Sequence, residues 1–388
     1  NFMNPLRATM RRELRRLVSR KAYIFAFFVV PLGCTIFFLS LMDQGLPLHV
    51  PTAIVDQDHS AMSREITRTL NANSLVTITR AEQTYSDAVA AVRRGQVYGF
   101  FVIPKDFEAD AVAGRTPVID YYSNMTYYVP GTFLFKGFKT TSVTSAAGMM
   151  RASLTASGME DDRVMNIVQP MTIETHAPGN PWTNYSMYLT PSFMMTMLSL
   201  MILLVTAFSI TEEIKWRTSP RWLETAGGSI TVAVFGKLLP HTVLFTLVGW
   251  AVGAVIFGFC GFPLQGPAWA LMLGVLLMVV ANQALAVFIT ALQPNPRMAL
   301  SICALTGILS FSIAGLSFPV EGMYGGIAIL SYIIPVRYMF LLYVNTGING
   351  LPLYYSRWMF AILAIFPALA ALALWRLKKA CLKPVYVP

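Results

Sequence analysis

Charge is what this chain has least of. Only 12% of its 388 residues are Asp, Glu, Lys or Arg, about half the share usual in soluble domains. With 55% hydrophobic residues and a mean hydropathy of +0.56, that scarcity excludes a solvated surface over the whole molecule. Anions are rare outside one block. Between Gln44 and Ser186 there are 11 cations and 13 anions, and elsewhere 18 cations against 6 anions. The net charge of +10 therefore belongs to the apolar regions, which argues against nucleic-acid binding and for a membrane protein with one water-soluble part.

Cysteine is nearly absent too. Cys34, Cys260 and Cys303 lie in apolar runs, Cys381 lies in a basic tail, and the polar block has none. No disulfide framework supports that block, and the scattered thiols make no cysteine metal site. Four histidines (His49, His59, His176, His241) are dispersed and read as interface or surface residues. No G-x-x-x-x-G-K-[ST] occurs, since "FGKLLP" lacks the glycine cradle. A dinucleotide fingerprint, H-E-x-x-H and G-x-S-x-G are also missing. The chain is expected to be no enzyme by itself and to bind no cofactor or metal.

What is present is apolar length. Spans of about 20 residues cross a hydrocarbon core roughly 30 Å thick. Six runs qualify: Ala22–Met42, Met187–Ile210, Leu238–Phe262, Pro267–Leu292, Met298–Val320 and Trp358–Trp375. The last is short but ends on tryptophans at both interfaces, and Lys237 is expected to snorkel to the cytoplasmic side of the third. With the N-terminus inside, fifteen flanking cations lie on the inner side and only Arg337 and Arg357 on the outer. The positive-inside rule thus puts both termini in the cytoplasm and the polar block outside. No cleavable signal is evident before the first span.

Before the first span, "PLRATMRRELRRLVSRK" places Leu6, Met10, Leu14, Leu17 and Val18 at helical spacing among arginines. It reads as a basic amphipathic helix in the membrane interface rather than as a topogenic charge cluster. In the polar block, "TAIVD", "LVTITR", "VYGFFVI" and "TPVIDYY" alternate with "HSAMSREITRTLN", "TYSDAVAAVRRG" and "PKDFEADAVAG". A helical stretch from about Tyr128 to Val168 follows, then "MTIET" as a closing strand. Such alternation predicts a compact α/β layer domain. The sequons at Asn124 and Asn184 are read as chance.

The expected fold is an α-helical polytopic membrane protein of six transmembrane helices, with an α/β extracytoplasmic domain inserted between helices one and two. Its parts are an interfacial helix (1–21), helix one (22–43), the outer domain (44–186) and helices two to six (187–388). Residues 318–337 make an outer re-entrant segment, because the run between Glu321 and Arg337 is too short to cross and too apolar for a loop. Two polar features lie among the spans. Asn282-Gln283, midway along the fourth, reads either as a pathway or dimer-interface contact or as helix–helix hydrogen bonding, with the second preferred. "ITEEIKWRTSPRWLETAGGS" places a crowded polar helix, 211–229, between spans two and three.

The ordered set resembles ABC-2-type permeases, the membrane subunits of ABC exporters. "AIVDQDHSAMSREI" and "GQVYGFFVIPKDFEADA" are similar to strand–helix pairs of that family's outer domain. "EEIKWRTSPRWLETAGGSITVAVFGKLLP" is similar to its cytoplasmic loop, and "GLSFPVEGM" with "IIPVRYM" to the element before the last span. The resemblance implies a separate ABC ATPase subunit that binds ATP and Mg, and a second permease copy, identical or related. It implies export of a hydrophobic or amphipathic compound from the inner membrane of a bacterium, possible docking to a periplasmic adaptor, and lipid as the surrounding partner. Export of a lipid-linked or polymeric envelope component is an alternative; from another class, so is a membrane sensor with a ligand-binding outer domain.

The resemblance also assigns the 211–229 helix as the coupling helix. Its ATPase contacts would be Glu212, Glu213, Lys215, Trp216, Arg217, Thr218, Trp222 and Leu223, a reading preferred to the alternative that both tryptophans sit in the lipid headgroup belt. Phe318, Pro319, Glu321 and Arg337 would form an outer gate, against the plainer reading of unconnected interfacial charges. One departure stands out: the family's glycine before the loop threonine is Arg217 here. Arginine there implies either an altered ATPase contact or a turn of regular geometry.

Overall fold

An arginine-rich amphipathic helix opens the chain. The computed structural model describes residues 3–43, 45–169, 179–181 and 183–384. Helix α1 (Met3–Ser19) carries Pro5 in its first turn, where a missing N–H costs nothing. Its buried face is Thr9, Glu13 and Leu17, while Leu14 and Val18 are exposed. The apolar set is therefore split: Leu17 is buried, Leu6 and Met10 are half-buried, and Leu14 and Val18 face outward, while polar Thr9 and Glu13 are turned inward. After Arg20, α2 (Lys21–Ile24), a π-helical turn (Phe25–Val29) and α3 (Val30–Leu41) make one continuous apolar helix of 21 residues.

Residues Leu46–His176 form a separate compact unit. In chain order it contains β1 (Val50–Asp56), α4 (Ala61–Asn71), β2 (Val76–Ala81), α5 (Tyr85–Arg93), β3 (Gly99–Ile103), α6 (Phe107–Val112) and β4 (Asp120–Ser123). Ser60 and Thr84 cap α4 and α5, each accepting from a backbone N–H three residues on. The strand order is β2-β1-β3-β4, with the first three parallel and β4 antiparallel to β3. All four strands and all three helices lie where the alternating pattern put them. The long helix divides into α7 (Tyr128–Ala156) and α8 (Asp161–Val168). Gly158 between them has φ +83°, a conformation that ends a helix. The closing strand "MTIET" lies outside the described residues.

The second unit, Asn1–Gly45 with Ala177–Pro388, holds the long apolar helices. They are α9 (Tyr185–Lys215), short α10 (Ser219–Thr225), α11 (Ile230–Gly253), α12 (Ala268–Leu292) and α13 (Pro296–Ile313). Next come α14 (Gly325–Ser331), α15 (Pro335–Leu342) and α16 (Arg357–Leu382). π-helical turns extend α11 to Phe259 and α15 to Ile348. Six helices among the described residues are long and apolar enough to span a membrane. The 31 residues of α9 reach about 46 Å, well past the hydrocarbon core.

Two boundaries move. The last span is longer than Trp358–Trp375, because the basic tail continues as helix and buries Leu377 and Cys381. The segment after the fifth span is α14 and α15 with its π-turn, bent by 79° and running on to Ile348. The bent pair, a broken span or a re-entrant loop by its geometry, thus extends past Arg337. The main core lies between α9, α11, α12, α15 and α16, with Met194, Ile202, Phe245, Met278, Val336 and Leu363 among its buried residues.

Candidate functional site

Helix α1 approaches α11 closely because Gly236 has no side chain. A Cβ there would sit 2.7 Å from the Thr9 Cβ, a distance that packed atoms do not adopt. The contact sets the register of the next turn. Glu13, one turn beyond Thr9, meets Lys237 and His241, which are four residues apart on one face of α11. Lys237 Nζ donates to Glu13 Oε2 at 2.6 Å, and His241 Nε2 lies 2.9 Å from Glu13 Oε1. Facing an ionised carboxylate, that nitrogen carries the proton. Tyr23 and Phe27 flank the imidazole with ring centroids 5.6 and 5.7 Å away.

The cluster continues onto the end of α9. Lys237 Nζ also donates to Glu213 Oε1 at 3.2 Å. Glu213 accepts two bonds from Arg12, at 2.7 and 2.9 Å, and others from Arg16 and the Thr218 hydroxyl. Arg20 pairs with Glu212. Two buried carboxylates thus face Lys237, Arg12 and Arg16. Desolvating such charges is expensive, and only their mutual pairing offsets it. Burial alone would raise the Glu13 carboxyl; the Lys237 charge and the His241 hydrogen bond outweigh it and hold it at about 2. Arg12 and Arg16 are each lowered from the usual guanidinium value, chiefly by burial.

The turn after α9 is a Schellman motif. Thr218 N–H donates to the Glu213 carbonyl at 2.9 Å and Arg217 N–H to the Ile214 carbonyl at 3.1 Å. That geometry demands a left-handed residue just past the cap, usually glycine. Arg217 occupies it with φ +53°. The turn is thus of the glycine type with an arginine in it, not a regular turn. Gly227 and Gly228, both at positive φ, close α10 in the same way. The Trp222 ring lies 5.3 Å below Lys237 Nζ, and Ser219 Oγ donates to the Cys381 carbonyl at 2.8 Å, tying α10 to the end of α16.

The residues expected at an ATPase surface therefore separate into two sets. Glu213 and Trp222 are fully buried, Leu223 is nearly so, and Glu212 is engaged by Arg20. Glu213, Trp222 and Leu223 are thus internal and offer no surface in this chain, while Glu212 is half-buried. Thr218 is half-buried and bonded to Glu213. Trp216 is 60% exposed, Arg217 is exposed, and half-buried Lys215 lies 5.7 Å over the Trp216 ring. Exposed Arg221 and Glu224 continue this surface. Lys237 does not snorkel, and His241 is neither an interface nor a surface residue: each is at most 1% exposed. His176 lies outside the described residues.

The other sequence-picked residues are less concerted. Phe318, Pro319 and Glu321 are exposed, but Arg337 is buried and makes no ion pair with Glu321 among the described residues. Arg337 instead donates to the Ala314 carbonyl at 3.2 Å, capping α13, and lies 5.2 Å over the Tyr332 ring. Gly315, at φ +94°, leaves room for its guanidinium. Asn282 and Gln283 are inside the bundle. Ser199 Oγ donates to Asn282 Oδ1 and Thr242 Oγ1 to Gln283 Oε1, both at 2.7 Å. Their bonds join α12 to α9 and α11, as the helix–helix hydrogen-bonding alternative expects.

Glu13, Lys237 and His241 escaped sequence reasoning. The signal existed: a single acid in an arginine-rich helix, and a Lys and a His four apart near the start of an apolar helix. Only the close approach at Gly236 brings those two patterns together.

No curated protein matches the chain. The family model described as ABC-2 family transporter protein matches residues 21–376, a range that takes in the inserted unit and the apolar helices up to Arg376 of α16 but not α1. The chain is a multi-pass membrane protein by its helices, and by this match it belongs to the ABC-2 transporter family.

Proposed function

We propose that this chain is the permease subunit of an ATP-driven exporter in a bacterial inner membrane. Its termini lie in the cytoplasm, the Leu46–His176 unit lies outside, and two permease copies work with a separate ATPase that binds ATP and Mg. The observation that carries this reading is the ion cluster beneath the 211–229 turn. Trp216, Arg217, Arg221 and Glu224 form an exposed tip. Beneath it, Glu213, Lys237 and Glu13 bind α9, α11 and α1 into one body. A push on that tip by an ATPase moves three helices together instead of bending a loop. The exposed tryptophan and arginines have the composition of an interface hot spot.

The cargo is hydrophobic or amphipathic. An apolar cavity of about 470 Å³ between α9, α11, α12 and α15, lined by Met195, Trp250, Phe257, Leu271 and Tyr343, supports that class. Outward movement is the direction of the exporters that the chain resembles, and the size of the Leu46–His176 unit supports docking to a periplasmic adaptor.

The test is co-purification with an ATPase and stimulation of its turnover in lipid. Trp216→Ala with Arg221→Ala removes exposed side chains only, and is expected to weaken ATPase binding about 30-fold, the worth of one hot-spot residue. Unchanged binding and stimulation in that variant would overturn the proposed contact.

A further inference from the structure

Four cations of α1 and its exit are not used by the ion cluster. Arg7, Arg11, Arg15 and Lys21 are exposed and make no ion pair among the described residues. The first three recur every four residues and so form one stripe. Beside it on the same helix runs the apolar stripe of Met10, Leu14 and Val18; Met10 is half-buried, and Leu14 and Val18 are left uncovered, Val18 being 78% exposed. This stripe is one wall of a groove of about 660 Å³. Tyr23, Phe27 and Phe28 of the first span and Leu239, Val243 and Leu244 of α11 complete it, with hardly any polar surface. A groove walled by apolar side chains and edged by unneutralised arginines matches a molecule with a long hydrocarbon chain and an anionic head.

We propose that this groove is a binding site for an anionic phospholipid. One acyl chain occupies the space between α1, the first span and α11, and the phosphate meets Arg11 and Arg15. The proposal rests on the reading of α1 as lying at the membrane surface. It goes beyond general contact with lipid, because the ion cluster holds α1 in place from the other side and keeps the groove formed. Arginine suits the head because its planar fork pairs phosphate oxygens two at a time. Among the described residues the carboxylates nearest α1 are paired: Glu13 with Lys237 and His241, Glu213 with Arg12 and Arg16, and Glu212 with Arg20 through one oxygen.

The experiment uses the full chain in bilayer discs of equal parts phosphatidylglycerol and phosphatidylcholine, extracted in mild detergent, with retained lipids counted by native mass spectrometry. The wild type is expected to retain phosphatidylglycerol at least tenfold over phosphatidylcholine. Arg11→Glu with Arg15→Glu should abolish that preference, at about fivefold per cation near an anionic head. Val18→Trp fills the groove with every arginine intact, and should also lose the retained lipid. Equal retention of the two lipids by the wild type, or an unchanged preference in the double reversal, overturns the site. Full retention in Val18→Trp overturns the groove and leaves diffuse attraction to the arginines as the cause. A chain that fails to insert into the discs overturns the membrane reading itself, so the two failures are distinguishable.

Discussion

Glu13→Gln cuts the ion cluster at its centre while keeping nearly the same shape. In the wild type, Glu13 and Glu213 answer Lys237, Arg12 and Arg16 in a site where both carboxylates and the ammonium are almost wholly buried. The variant leaves one carboxylate among three cations. Breaking a buried pair by removing one partner costs about 3–5 kcal/mol. The depression of Glu13 to about 2 gives a consistent figure of about 3 kcal/mol. Undocking α1 then becomes roughly a hundredfold more frequent. Hydrogen exchange at the amides of α1, followed in bilayer discs, reads this directly as a loss of protection of that size. Lys237→Met in the same chain removes the orphaned ammonium, and the pair of substitutions should recover most of the protection, since apolar replacement of a buried ion pair is often neutral. Unaltered protection in Glu13→Gln, or no recovery in the double variant, would refute the account of the cluster as what holds α1.

Further outcomes follow from the same geometry. Lowering the pH should undock α1 without any substitution. Glu13 sits below its ordinary value when folded, so its contribution is fully present above about 4.5 and is lost as the pH falls toward about 2. The protection factor at α1, taken relative to the intrinsic exchange rate at each pH, should therefore be flat from pH 7 to 5 and fall below that, and a flat protection factor down to pH 3 contradicts the assignment. Gly236→Val should loosen α1 by about 1–3 kcal/mol through overpacking against Thr9, with Thr9→Gly restoring it in the double variant. Arg217→Gly should stabilise the turn by about 1 kcal/mol, since glycine adopts φ +53° without strain, and thermal unfolding in detergent measures it. Ser199→Ala leaves the buried Asn282 oxygen without its donor and should cost about 1 kcal/mol, with cargo movement unaffected if the pair serves packing.

Much of the architecture was legible in the residues because it depends on local period and length. Spans need about 20 apolar residues whatever surrounds them, and a strand–helix alternation announces itself by composition. The polar 211–229 segment stood out because charge is costly beside apolar runs. What failed were statements about where side chains face. Leu6, Met10, Leu14, Leu17 and Val18 marked a helix, yet of these only Leu17 is fully buried, and Thr9 and Glu13 complete the buried side. In lipid an apolar stripe can remain outside, so periodicity alone does not say which face meets the protein. Lys237 illustrates the same limit. A lysine near the start of a span snorkels unless an acid is supplied from another helix, and Glu13 lies 224 residues away in sequence.

By itself, then, the sequence determined the membrane class, the six apolar helices, the inserted α/β unit and the family, because each is a matter of local pattern. Only the tertiary structure decided that Glu213 and Trp222 are interior, that Arg217 occupies a glycine's left-handed position, and that Glu13, Lys237 and His241 are one site. The reason is physical. A buried ion is tolerable only where counter-ions converge from several helices, and that convergence depends on one close approach, at Gly236, which no local pattern encodes.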